Sequence, residues 1–223
     1  MQWIERAYLA PLTVQEMIDS TNPRCSDATI TVGKHNTIQI NRGFMSMISP
    51  VFCAAFGPDT KESQTGIIDI KDFNYETVKC AIDYCYGQAF EKKTATEVTD
   101  MLRFYDKYDI QAAIEKLETW LMNNMTIENF PPTAAYAWQY SRDTLQTECG
   151  MVYHDNITAL ACRPDFAELD PIVLAGIVQA GVAASKVPNR IPKCNKIGMA
   201  DPPKPMNLFR RFMNTIRRNP RNS

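Results

Sequence analysis

A chain of 223 residues with 45% hydrophobic and 22% charged side chains is composed like a folded protein rather than a disordered one, and it is long enough for one good core or for a domain with a smaller companion. The net charge of −1 hides a division: residues 186–223 carry ten basic side chains against Asp201 alone, a net of +9 that leaves residues 1–185 at −10. An acidic body with a basic tail suits either a polyanion contact or a tail that folds back on its own domain.

From the N-terminus, MQWIERAYLAPL puts Glu5 and Arg6 inside what would be the apolar region of a signal peptide, so no secretory signal is expected. Residues 11–18 read as a short helix with Leu12, Val14, Met17 and Ile18 on its apolar side, ended by Asn22-Pro23. From Asp27 the period changes to two: Ala28, Ile30 and Val32 alternate with threonines, residues 33–36 turn, and Thr37 to Ile40 returns, the pattern of a β-hairpin. Asn41 caps the next helix, where Phe44, Met45 and Ile48 recur at helical spacing before Pro50 starts a further turn. That short apolar helix stops at Gly57-Pro58, and Thr60-Lys61-Glu62 follows.

Ile67 to Ile70 is another short strand, and residues 75–86 form a helix with Val78, Ile82 and Cys85 on one face, closed by Gly87. Thr94 to Glu97 is a capping-box pattern opening a helix through Met101, Leu102 and Tyr105; Asp109 is expected to cap the helix that carries Ile110, Ile114, Leu117 and Leu121. The pattern is then helical throughout: Thr126 into Ile127, a helix begun by Pro131-Pro132, another from about Leu145 to Ile157, and a last one at Ile172. Strands early and helices late predict an α+β module with an all-α appendix. The apolar run Ile172 to Ser185 is too short to cross a bilayer and contains Gln179, so it reads as a packed helix. Beyond Lys186, six prolines and scattered charge suggest a flexible tail.

The seven cysteines, Cys25, Cys53, Cys80, Cys85, Cys149, Cys162 and Cys194, are odd in number and lack a CxxC pair. They read as reduced thiols of an intracellular protein, nuclear or cytoplasmic and not secreted. Only His35 and His154 exist, with no Cys/His metal spacing, no GxSxG, no GxGxxG and no phosphate loop, so neither enzyme chemistry nor a cofactor is expected.

Four blocks, SDATITV (residues 26–32), INRGFMSMISPVFCAAF (40–56), GIIDIKDFNYETVKCAIDYCYG (66–87) and LRFYDKYDIQAAIEKLETWL (102–121), resemble in order and spacing a BTB/POZ domain. The resemblance implies a short mixed sheet flanked by helices, an arm and dimerisation helix at 1–22, the BTB/POZ domain at 23–122, a three-box or BACK-like helical extension at 123–185, and the basic tail at 186–223. The extension is similar to the part that follows the BTB domain in the speckle-type POZ protein. Relatives of that kind place a MATH domain in front, whereas about 25 residues precede the blocks here, so no substrate receptor is expected.

The same resemblance implies roles for particular residues. Leu12, Met17, Ile18, Met45 and Ile48 would form a homodimer interface, or pair with another BTB protein. Phe56, Thr60, Glu62 and Tyr86 would contact cullin-3, since adaptors of cullin-3 ubiquitin ligases carry an apolar residue, any residue and a glutamate in this loop. Thr60 departs from that pattern: compared with Leu or Met it loses buried apolar surface and has a hydroxyl to desolvate, a deficit of about 1–2 kcal/mol. Asp27 and Arg42 match a charged pocket that binds corepressors in the transcription-factor branch, or simply hold the fold together. The implied function is a dimeric adaptor that brings a ubiquitin ligase to an unnamed client; the alternative is a scaffold that binds no cullin. In the tail, Leu208, Phe209, Phe212, Met213 and Ile216 share one helical face, with Arg210, Arg211, Arg217 and Arg218 mostly elsewhere. Such a basic amphipathic segment suits an anionic membrane, a partner groove, nucleic acid, nuclear import, or the acidic body itself.

Overall fold

The structure, a computed structural model, describes residues 26–88 and 93–186. The expected hairpin is present: β1 (Ala28–Val32) pairs antiparallel with β2 (Asn36–Ile40), register Ile30 to Ile38, across a turn in which Gly33 takes φ +65°. β3 (Ile67–Ile70) joins β1 in parallel, giving the order β2-β1-β3. Alternation puts Ala28, Ile30, Val32, Ile38, Ile40, Ile68 and Ile70 in the core, and the other face of each strand outward.

Between the hairpin and β3 lie three short helices, α1 (Arg42–Ile48), α2 (Pro50–Ala55) and α3 (Lys61–Thr65). Each is started by a side chain that accepts from the third residue on: Asn41 from Phe44, Ser49 from Phe52, and Thr60 from Ser63. Helices of five to seven residues have no stability of their own, so these caps and the buried Met45 and Phe52 fix where the chain turns. Ser49 also donates its hydroxyl to the Tyr108 carbonyl at 2.5 Å, tying α2 to the helix behind it.

α4 (Tyr75–Cys85) and α5 (Ala95–Tyr108) complete the body, the latter with the full Thr94/Glu97 capping box. Asp109 departs from expectation. It ends α5 in the left-handed region at φ 51°, its carboxylate accepting from the Gln111 side chain, while α6 (Gln111–Asn123) begins without a side-chain cap. Asp tolerates that conformation better than most residues, and the tight corner between α5 and α6 requires it.

The appendix is all helix: α7 (Phe130–Gln139), α8 (Asp143–Asp155), α9 (Ile157–Ala161), α10 (Pro164–Ala167) and α11 (Pro171–Ser185). The helix expected to run to Ile157 is broken at Asn156, and the single turn α10 gave no periodic signal. α7 lies against α5, and α11 packs along α8. One hydrophobic core runs unbroken from Ala28 to Ile177. A polar node stitches the appendix on: Arg142 reaches Asp106 of α5 at 2.5 Å, and Tyr136 of α7 donates to Glu118 of α6 at 3.0 Å. Arg142 Nε stands 3.1 Å from Glu118 Oε1 but points its hydrogen elsewhere, an ion pair rather than a hydrogen bond. Burial pushes the Glu118 carboxyl above the usual range, opposed by the Tyr136 hydrogen bond and the Arg142 charge.

Candidate protein-interaction surfaces

The corner between α2 and α3 is held from several sides. Phe52, fully buried, stacks on Tyr108 with ring centroids 4.7 Å apart and on Phe56 at 6.4 Å. Phe56 is half-buried and closes α2 as its C-cap. Residues 57–59 then reverse the chain, with Asp59 at φ 66°. Thr60 is the centre of the turn: its hydroxyl lies 2.7 Å from the Ala55 carbonyl and 2.9 Å from that of Gly57, and it accepts from Ser63 N–H at 3.0 Å. The hydroxyl is therefore satisfied within the chain. Glu62 sits in the first turn of α3, half-exposed, where a negative charge also suits the helix dipole.

Asp27 and Arg42 are brought together, but as a clamp. The Asp27 carboxylate accepts from Arg42 N–H at 2.7 Å. The guanidinium donates to the backbone carbonyls of Asp27 at 3.0 Å and Ser63 at 2.7 Å, and lies over the Phe56 ring at 5.4 Å. Gly66 leaves it room: a Cβ there would stand 2.7 Å from Arg42 Nη2, in a backbone with φ +71°. The start of the hairpin, the start of α1 and the end of α3 thus meet on one side chain. A shallow cleft of about 610 Å³ runs between the hairpin turn and α3, with Lys34, His35, Lys61 and Glu62 in its walls.

Two residues take positions other than those expected for them. Tyr86, expected at a cullin-3 contact, is 7% exposed, its ring 4.7 Å from Phe44 and its hydroxyl accepting from Asn41 N–H at 2.7 Å. It supports the start of α1 from below. Met45 is 0% exposed and belongs to the core, so it cannot reach a second copy. The outward face of α1 instead carries Met47, 72% exposed, followed by Val51 at 40%, with Ile48 half-buried between them. Sequence periodicity missed Met47 because Phe44, Met45, Met47 and Ile48 surround a helix too short to show which face is inside. Leu12, Met17, Ile18, Arg210, Arg211, Arg217 and Arg218 lie outside the described residues.

Among the described residues no group of three or more His, Cys, Asp or Glu side chains could hold a metal ion, and no helix is long and apolar enough to cross a membrane. A mixed sheet edged by short capped helices, with an exposed apolar helix face and an acid-tipped corner, is the architecture of a module that binds other proteins. The BTB/POZ domain family matches residues 18–125 of this chain, 108 of its 223 residues. It is 27% identical over 124 residues to BTB and MATH domain-containing protein 42 of Caenorhabditis elegans, which is 55% of this chain and 30% of that protein. It is 22% identical over 170 residues to TD and POZ domain-containing protein 4 of Mus musculus, 74% of this chain and 46% of that one. A BTB/POZ domain-containing protein of Arabidopsis thaliana is 23% identical over 188 residues, 78% of this chain and 76% of its own length. The chain thus spans less than half of the worm and mouse relatives and about three quarters of the plant one.

Proposed function

We propose that this protein is a dimeric BTB adaptor that offers the α2–α3 corner and the helices after Thr126 to the N-terminal domain of cullin-3, leaving other surfaces for a client. The observation that carries this reading is the internally bonded Thr60, whose hydroxyl is already engaged by the chain's own backbone next to Glu62. Thr still lacks about two apolar heavy atoms of a Met at that position, worth ~1.5 kcal/mol or roughly tenfold in affinity, and the appendix helices supply the second contact area. Tyr86 acts from beneath, by fixing α1, and Phe56 by packing under Arg42. Met47, Ile48 and Val51 form the described part of the dimer face, beside whatever Leu12, Met17 and Ile18 add.

Titration calorimetry of the whole chain against the cullin-3 N-terminal domain tests the reading. Binding that weakens at least about tenfold in Glu62→Lys, with the dimer intact, is expected. Absence of binding by the natural protein would leave the rival, a BTB scaffold that pairs with other proteins without a ligase. A corepressor-type pocket at Asp27 and Arg42 is the weaker form of that rival, because both side chains are already engaged by backbone groups. For the dimer, Met47→Asp should shift the sedimentation coefficient to that of a monomer while leaving the circular dichroism spectrum unchanged.

A further inference from the structure

Cys80 lies half-buried on α4, and the Lys93 ammonium, just before the α5 capping box, stands 3.0 Å from its sulfur. Lys93 is held there from its other side by Glu97 at 3.1 Å, and Glu97 is itself fixed by Thr94 N–H at 2.8 Å and the Thr94 hydroxyl at 2.9 Å. The pairing is therefore built, not a chance approach of a free lysine. Neither residue takes part in the surfaces described above.

We propose that Cys80 and Lys93 are an oxidant-sensitive pair that peroxide converts to a reversible sulfur–nitrogen link between α4 and the start of α5. A thiolate, not a thiol, is the attacking species. The Cys80 sulfur attacks one peroxide oxygen, forming S–O as O–O breaks, and the departing hydroxide takes a proton from the Lys93 ammonium and leaves as water. Sulfenic acids condense with nitrogen nucleophiles. The neutral Lys93 amine, already in contact, attacks the sulfur; S–N forms, S–O breaks, and a second water leaves. Sulfur loses the two electrons that peroxide gains, and one thiol, one amine and one peroxide give one sulfenamide and two waters.

The test treats the full chain with hydrogen peroxide and maps it by non-reducing tryptic mass spectrometry. The expected product joins the Cys80 and Lys93 peptides with a mass lower by two hydrogens, resists cleavage after Lys93, and disappears with dithiothreitol. Lys93→Arg keeps the cation but not the amine, so sulfenic acid at Cys80, trapped by dimedone, should rise severalfold over the natural protein. Cys80→Ser should give no link. Oxidation confined to the exposed Cys53 and Cys162, or equal dimedone labelling of Cys80 with and without Lys93, would overturn the proposal.

Discussion

The α2–α3 corner and the α8–α11 pair are both tightly packed, by opposite means. At the corner, polar side chains replace missing backbone partners: Arg42 on two carbonyls, Ser49 on Tyr108, and Thr60 on Ala55, Gly57 and Ser63. In the pair, glycines leave out side chains where the helices come closest. A Cβ on Gly150 would meet Ala180 Cβ at 2.5 Å and its carbonyl carbon at 2.7 Å, and one on Gly181 would meet the Tyr153 ring at 2.7 Å. Hydrogen-bonded corners leave a directed surface for a partner, whereas glycine-lined helix contacts make a rigid frame. The recognition surface and its frame should therefore fail differently.

Phe52→Ala removes the buried ring on which the corner rests and should cost about 3–5 kcal/mol, read as a lower urea midpoint. Gly150→Ala should cost less, because α11's backbone stands in the way of the new methyl: overpacking of about 1–3 kcal/mol is offset in part by the ~1 kcal/mol alanine gains in a helix. Its signature is loss of stability; a Gly150→Ala protein as stable as the natural one would remove the contrast. At the corner, Thr60→Val keeps the shape and deletes the cap, so about 1 kcal/mol of stability should go, together with order at Glu62. Thr60→Ser keeps the cap and deletes the methyl, so stability should hold while binding weakens. If the two variants behave alike, cap and contact are not separable as described.

The smallest effect is electrostatic and lies at the polar node that joins the appendix to the body. Glu118 has its pKa raised from 4.5 by burial, so the folded state holds its proton more tightly than the unfolded one. That contribution is fully present below pH 4.5 and is lost as pH rises through the raised value. Asp72, lowered by its hydrogen bond to Lys107, has the opposite sign. The Glu118 part is isolated by subtraction: relative to Glu118→Gln, the natural protein should lose stability as pH rises through that window in urea titrations.

The corner was more legible in the sequence than the frame because capping is local. Asn41, Ser49-Pro50 and Thr94 to Glu97 announce helix starts within four residues, and the hairpin announces itself by alternation. Thr60 was located, but its cap was not, because the third helical residue there is Ser63 rather than Glu or Gln. Met45 and Met47 could not be told apart for want of helix length, and Tyr86 needed the hydrogen bond to Asn41, 45 residues away, to be placed. Gly150, Gly176 and Gly181 carry no local signal at all, since their purpose lies wholly in the neighbouring helix. Asp109 misled for a related reason: a residue between two helices can end one or begin the next, and only the backbone turn decides.

The most direct test of the corner as the recognition surface is hydrogen exchange of the full chain with and without the cullin-3 N-terminal domain. The expected result is slower exchange confined to residues 52–66 and the helices after Thr126, with α4 unchanged. Protection on the α1 face or the outer strand alone, or none anywhere, would contradict it.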